Sequence, residues 1–387
     1  MDNRNNNNKN GNRRRNEFYR RIVTITMSLP VLIVLVLAFM YRDRLEGSVR
    51  DLFSRDTEEA LKGEAFTYEA GAGQVFALVG DGLAVATVSG AQLLDAKGFT
   101  ITRQIFAMNT PAIAVSGDSC AVFDIGGTAL RIIELDGDVW ELDRQQPIVS
   151  VTMNESGWIA VVTEEPGYKG HVTVFDSKRN PAYELYSGSG GAGYILFARV
   201  APDNRQLALL SATSTGSRVS LFLLNDRSEE PAAFFDAEGE LLFDFDYFGS
   251  NRIGAISDQR LVFLGGDTRL IGEYSFAGEH LQDYDIHGGS FAAVVLNRYR
   301  SSGEGQLLTV SSNGSLLGKR TFEGETLSLS PKGSMLLVLR PNSMELYSST
   351  LEPLGSRSDT VGARGALLRR SREALLLSAY SAETHKF

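Results

Sequence analysis

The chain has 387 residues, 43% of them hydrophobic and 22% charged, with 38 basic and 47 acidic side chains and a single cysteine. One cysteine excludes an internal disulfide, and a net charge of −9 makes nucleic acids and other polyanions poor ligands for the average surface. The charge is unevenly spread: residues 1–44 hold nine basic and three acidic side chains, which leaves 29 and 44 in the remainder, a net −15.

Residues 1–21 form a basic tail, with Arg4, Lys9, Arg13, Arg14, Arg15, Arg20 and Arg21 against Asp2 and Glu17. Its Asn-rich stretch offers nothing apolar to bury, so it is expected to be disordered and to lie in the cytoplasm. An uncharged run, IVTITMSLPVLIVLVLAFMY, then begins at Ile22 and ends at Tyr41, between Arg21 and Arg42. A helix of that length spans ~30 Å, the thickness of a bilayer's hydrocarbon core. The cationic flank stays inside, so the reading is a single-pass plasma-membrane anchor with residues 42–387 outside. A cleaved signal peptide is the rival, but its apolar region is shorter, and Ala38-Phe39-Met40 is a poor cleavage site. Pro30 falls mid-span, where Thr24, Thr26 and Ser28 can satisfy backbone groups that it frees. An exported domain without disulfides suits a bacterial envelope better than a eukaryotic secretory route.

Residues 42–63 follow, with Leu45, Val49, Leu52, Phe53 and Ala60 at roughly helical spacing, and predict a short juxtamembrane stalk. From residue 64 to 387 helical periodicity is gone, and short apolar runs alternate with Gly, Asn, Asp and Ser turns. A turn followed by a small, apolar strand recurs, as in Asp81-Gly82-Leu83-Ala84-Val85-Ala86 and Ser156-Gly157-Trp158-Ile159-Ala160-Val161-Val162. Equivalent points fall at 83, 120, 159, 207, 253, 292, 335 and 375, a period near forty residues. Four strands per unit at that period is the signature of a β-propeller blade. In the third unit the strands are placed at 148–153, 158–163, 171–175 and 182–186. The eighth unit lacks an outer strand, and Ala65-Phe66-Thr67-Tyr68 has no partner of its own. The N-terminal strand is therefore expected to complete the last blade and leave no raw edge. The fold class is all-β, an eight-bladed β-propeller with one N-terminal transmembrane helix; seven blades is the alternative.

Ala201-Pro202-Asp203-Asn204-Arg205-Gln206-Leu207-Ala208 and Ser330-Pro331-Lys332-Gly333-Ser334-Met335 resemble the Ser-Pro-Asp-Gly turn of the WD-repeat-like and TolB-like propeller superfamily. The Trp-Asp dipeptide of true WD repeats is absent. The layout is similar to uncharacterised membrane-anchored bacterial propellers, which supply no catalytic residue to carry over.

No motif for chemistry stands out. His171, His280, His287 and His385 show no metal-ligand spacing and read as structural, and no metal or cofactor is expected. The glycine-rich stretch 188–193 matches GxGxxG literally, but a strand follows it rather than a phosphate-binding helix. Asp244-Phe245-Asp246 places two carboxylates on one face of a strand without a calcium-loop pattern. Cys120 reads as a small core hydrophobe. The long loops 164–170, 187–193, 211–218 and 297–305 share one face of the ring, and long loops carry function more often than short turns. Within them Tyr168, Lys169, Arg298, Tyr299 and Arg300 are the residue types of binding hot spots and form the candidate partner-binding set. The reading is a non-catalytic protein-interaction scaffold of the bacterial envelope. An exterior binder of a small ligand or glycan, and then a hydrolase or lyase, are the alternatives.

Overall fold

The computed structural model describes residues 62–387 apart from 189–192, 227, 250, 289 and 300–303. The anticipated span 22–41, the tail and almost all of the stalk lie outside the described residues. Among the described residues no helix is long and apolar enough to cross a membrane.

The regular elements described are β-strands, in eight four-stranded antiparallel sheets. The sheets are the blades of a propeller. Their first strands are Val75–Val79 in blade 1, Pro111–Ser116 in blade 2, Ile148–Met153 in blade 3 and Tyr194–Val200 in blade 4. Asp244–Tyr247, His280–Asp285, Ser328–Lys332 and Gly365–Arg370 begin blades 5 to 8. First strands of successive blades touch one another, between blades 4 and 6 through the side chains of Arg199, Asp244 and Tyr284, which places them around the ring centre.

Second strands carry the fold. Gly82–Thr87 and Ser119–Asp124 are buried along their whole length, as is Ile159–Thr163. Such strands are covered on both faces by neighbouring blades, so they read as continuous apolar runs rather than as an alternation. Fourth strands do alternate: in Pro181–Tyr186 only Tyr183 and Leu185 are buried. Burial of the second strands builds eight apolar layers, one at each blade-to-blade junction. Leu83, Val85 and Leu94 of blade 1 meet Leu375, Leu377 and Ala382 of blade 8, so the sequence of layers is cyclic.

The expected closure is present. Blade 8 takes Lys62–Thr67 as its outer strand beside Ser381–Lys386. The Tyr68 hydroxyl then donates to the carbonyls of Ser378 (2.8 Å) and Ser381 (2.9 Å).

Links between blades and turns between second and third strands emerge on one face, here the upper one. First-to-second and third-to-fourth turns emerge on the lower face. Six of the third-to-fourth hairpins share one five-residue turn, in which the fourth residue has positive φ: Gly98, Gly137, Arg179, Thr268, Gly314 and Leu351. Three are glycine, which takes this conformation without steric penalty. Arg179, Thr268 and Leu351 are held there by the same pair of backbone bonds, such as Arg179 N to Asp176 O at 2.9 Å. Blade 4 breaks the rule. Between Gly216–Leu223 and Ala233–Glu238 it carries a nine-residue connection, 224–232, on a face where short turns were expected.

Candidate functional site

The sequence-selected residues lie on the upper face but in two separate sectors. Tyr168 and Lys169 belong to blade 3, where the Tyr168 ring lies 5.1 Å from Tyr186. His171 stacks on the same Tyr186 at 4.1 Å and 10°. Lys169 Nζ lies 6.0 Å from the ring of Tyr194, the first residue of blade 4. His171 is buried, and burial holds its imidazole below the ordinary value, so it braces the tyrosine as a neutral ring. Arg298 and Tyr299 belong to blade 6, with the guanidinium 5.8 Å from the ring. Arg300 lies outside the described residues. Blades 4 and 5 lie between the two groups, so they are not one constellation.

Exposed tyrosine sorts to one face, where it stands beside aliphatic groups such as Ile105, Ile125 and Val361. The tyrosines among the exposed large apolar side chains are Tyr168, Tyr186, Tyr194, Tyr299 and Tyr380, and all five stand on the upper face. On the lower half the exposed apolar groups are Phe99, Leu223, Phe234, Leu270, Ile271, Leu316 and Leu317.

A second constellation surrounds the ring centre, on the innermost strands of blades 4 to 6. Arg199 of blade 4 reaches Asp244 and Asp246 of blade 5, each at 3.7 Å, and His287 Nε2 at 3.0 Å. His287, in the first turn of blade 6, lies 3.4 Å from Asp244 Oδ2 and 3.6 Å from Asp285 Oδ1. The Tyr284 hydroxyl donates to Asp244 at 3.2 Å. Asp244 and Asp246 thus share a face, as strand alternation requires.

His287 has two options. A neutral ring can accept from Arg199, whereas an imidazolium donates to Asp244 at the expense of a like-charge contact with Arg199. Burial disfavours the cation, but Asp244 and Asp285 outweigh it and push the imidazole up to about 10. Its side chain is 42% exposed. For Asp244, burial opposes the charge, yet His287 and Arg199 hold the carboxyl below the usual range. Asp283 is different. Burial, opposed by the Tyr284 amide and reinforced by the charge of Asp285, pushes it up to about 6. Tyr247, 8% exposed, has a hydroxyl with no hydrogen-bond partner among the described residues. Burial above all, then the charges of Asp203 and Asp246, drive its pKa above the ordinary value.

The sequence held only one sign of this cluster, the Asp244/Asp246 alternation. His287 looked like a turn histidine, because its partners Arg199 and Asp244 are remote in the chain. No three His, Cys, Asp or Glu side chains converge as a metal group among the described residues. Cys120 is buried and its thiol is pushed up to about 12, so it is inert.

The lower face holds a cleft of about 800 Å³ beneath blades 3 to 5. Trp158, Asp203, Asn204, Arg205, Gln206, Leu223, Leu224, Asn225 and Asn251 line it. They come from the first turns of three successive blades and from the start of the long connection in blade 4.

Eight blades closed by a shared last sheet define a β-propeller. Within that class the chain belongs to the family of unknown function DUF5711, whose pattern matches residues 63–350. No curated protein sequence matches it. Its fold is similar to the C-terminal WD40 domain of Sif2, with TM-score 0.57 and 14% identity, covering 84% of this chain and 98% of that one. It is also similar to BamB from Moraxella catarrhalis, with TM-score 0.53 and 12% identity over 84% and 99% of the two chains. The dihydro-heme d1 dehydrogenase NirN in complex with DHE follows at 0.52 and 13%, over 75% of this chain and 66% of that one. At these identities the likeness establishes the fold alone.

Proposed function

We propose that this chain is a membrane-anchored, non-catalytic propeller that offers its upper face to a protein partner outside the membrane, as a scaffold of a bacterial envelope. The observation that carries this reading is the placement on that face of all five tyrosines that are exposed among the described residues. Tyrosine supplies a large contact area and a polar tip at low entropic cost, and it is enriched at interfaces. The uncharged run 22–41 behind a cationic tail supports an anchor with the N-terminus in the cytoplasm. The topology is compatible with it. The outer strand of blade 8 begins at the lower face of the ring, opposite the tyrosine face. The region around Tyr168, Lys169, Tyr186 and Tyr194 is the proposed contact, because there cation, hydroxyls and rings are contiguous.

A photo-crosslinking residue at Tyr168 or Tyr194 of the tagged full chain, activated in intact cells, tests the reading. A reproducible protein adduct from these positions, absent when the crosslinker stands at Asp136 on the lower face, is expected. Equal adducts from both faces, or none from the upper one, would reject the assignment. Orientation is tested separately with Val361→Cys, an 85% exposed position in a background where Cys120 is unreactive. Labelling of intact cells by a membrane-impermeant maleimide is expected; labelling only after lysis would overturn the topology.

A further inference from the structure

The lower cleft is chemically unlike either site above. Its lining carries one carboxylate, Asp203, and one guanidinium, Arg205, so it has no net charge. The remaining polar groups are the amides of Asn204, Gln206, Asn225 and Asn251. Each amide presents a donor and an acceptor in one plane. The apolar share is the Trp158 indole with Leu223 and Leu224. Trp158 packs against the apolar layer between blades 3 and 4 and borders the cleft with the rest of its ring.

Several of these groups are fixed in place. Asn154 Nδ2 donates to Asn204 Oδ1 at 2.7 Å, which orients the Asn204 amide and leaves its NH2 free to donate. Asn204 itself sits at φ 59°, a turn position that asparagine tolerates. Gln206 Nε2 donates to the Gly266 carbonyl at 3.4 Å. Asn251 lies over Gly266 so closely that a Cβ there would come within 1.7 Å of its Oδ1. Among the described residues no side-chain partner engages Asn225 or Asn251, and both are exposed to the cleft.

The ligand chemistry follows by elimination and by match. A polyanion needs a cationic lining, which is absent. A lipid needs an apolar trough, and most of this lining is polar. An extended peptide is held by a free strand edge, but the cleft lies across strand ends and turns, where no edge is offered. Vicinal hydroxyls are each donor and acceptor, like the amides, and a pyranose presents an apolar C–H face that suits an indole. The volume falls within the ~300–1,000 Å³ of small-molecule sites. We infer that the cleft beneath blades 3 to 5 binds a neutral oligosaccharide, with Trp158 as the stacking surface and Asn204, Gln206, Asn225 and Asn251 as the hydroxyl readers. This site is independent of the protein-binding face proposed above, which lies on the other side of the ring.

Trp158 is also its own reporter, since the chain has two tryptophans and Trp140→Phe leaves it alone. The full-length W140F chain, purified in a detergent without a sugar headgroup, is titrated with trisaccharides of glucose, galactose, mannose and N-acetylglucosamine. Unbranched neutral peptides are titrated in parallel. A saturable change in Trp158 emission with at least one sugar is expected. The exposed pair N225A/N251A should weaken it about tenfold while leaving the melting temperature in place. No saturable response to any sugar, a response that ignores N225A/N251A, or a response to peptide alone would each overturn the assignment.

Discussion

The innermost strands of blades 1 and 2 and those of blades 5 and 6 hold equivalent places in the ring and carry opposite chemistry. The first pair reads Val75-Phe76-Ala77-Leu78-Val79 and Pro111-Ala112-Ile113-Ala114-Val115-Ser116. The second reads Asp244-Phe245-Asp246-Tyr247 and His280-Leu281-Gln282-Asp283-Tyr284-Asp285. The second strands of the same blades do not diverge: Gly82–Thr87 and Phe291–Asn297 are both almost wholly apolar and buried. Second strands are pressed from both sides, so the fold dictates their composition. First strands border the ring centre, where side chains can meet water and one another, so they are free to take up charge.

Breaking the charged sector should do most harm. Asp244→Ala leaves Arg199 with Asp246 alone and His287 with Asp285 alone and removes the acceptor of the Tyr284 hydroxyl, and removing one partner of a buried ion pair costs about 3–5 kcal/mol. Denaturant melts of the variant should show that loss, and a loss below ~1 kcal/mol would mean that water already satisfies the cluster. Leu83→Ala in the apolar layer between blades 8 and 1 should cost about 2–5 kcal/mol through the cavity it leaves. Unlike Asp244→Ala, its cost should not vary between pH 5 and 9.

Asp283→Asn should move the other way. A carboxyl pushed from its ordinary value of 3.8 up to about 6 binds its proton more tightly when folded. Its charged form is thus a burden above pH 6, and that burden fades as pH falls towards 4. The asparagine variant should be more stable at pH 7 by roughly 1–3 kcal/mol, with the gap closing by pH 4. A gap that persists at pH 4 would assign the gain to something other than ionisation.

The smallest effect sharpens the state of His287. With its folded pKa raised to about 10 from 6.5, its contribution is fully present below 6.5 and is lost as pH rises towards 10. The melting-temperature difference between the natural chain and His287→Gln should therefore shrink across that window. A flat difference would mean that the ring is neutral and accepts from Arg199.

The ring was largely legible because its constraint is local in sequence. A second strand buried on both faces writes a small-apolar run every forty residues, and a missing outer strand in the last unit writes its own remedy at Ala65 to Tyr68. Strand limits in blade 3 differ from the expected ones by one residue at two ends. Turns with glycine were visible at Gly98, Gly137 and Gly314, but Arg179, Thr268 and Leu351 were not, since their backbone is imposed by the hairpin rather than by their own preference. The central cluster was not legible, because Arg199 and His287 stand 88 residues apart and each is unremarkable in its own segment. The cleft was hidden for a similar reason: it is assembled from the first turns of three blades. Loop length pointed to the upper face and to Tyr168 and Lys169, while the tyrosines that complete that surface, Tyr186 and Tyr194, lie at strand ends.

The bond from Tyr68 to Ser378 joins residues 310 positions apart. During synthesis, the strand that opens the propeller emerges first and must wait, unpaired, until the strand ending at Lys386 has been made. A chain released early would keep an open β-edge at blade 8, the kind of surface that recruits other strands and proteases. The ring therefore cannot close before the strands of blade 8 are present, however early its opening strand is made.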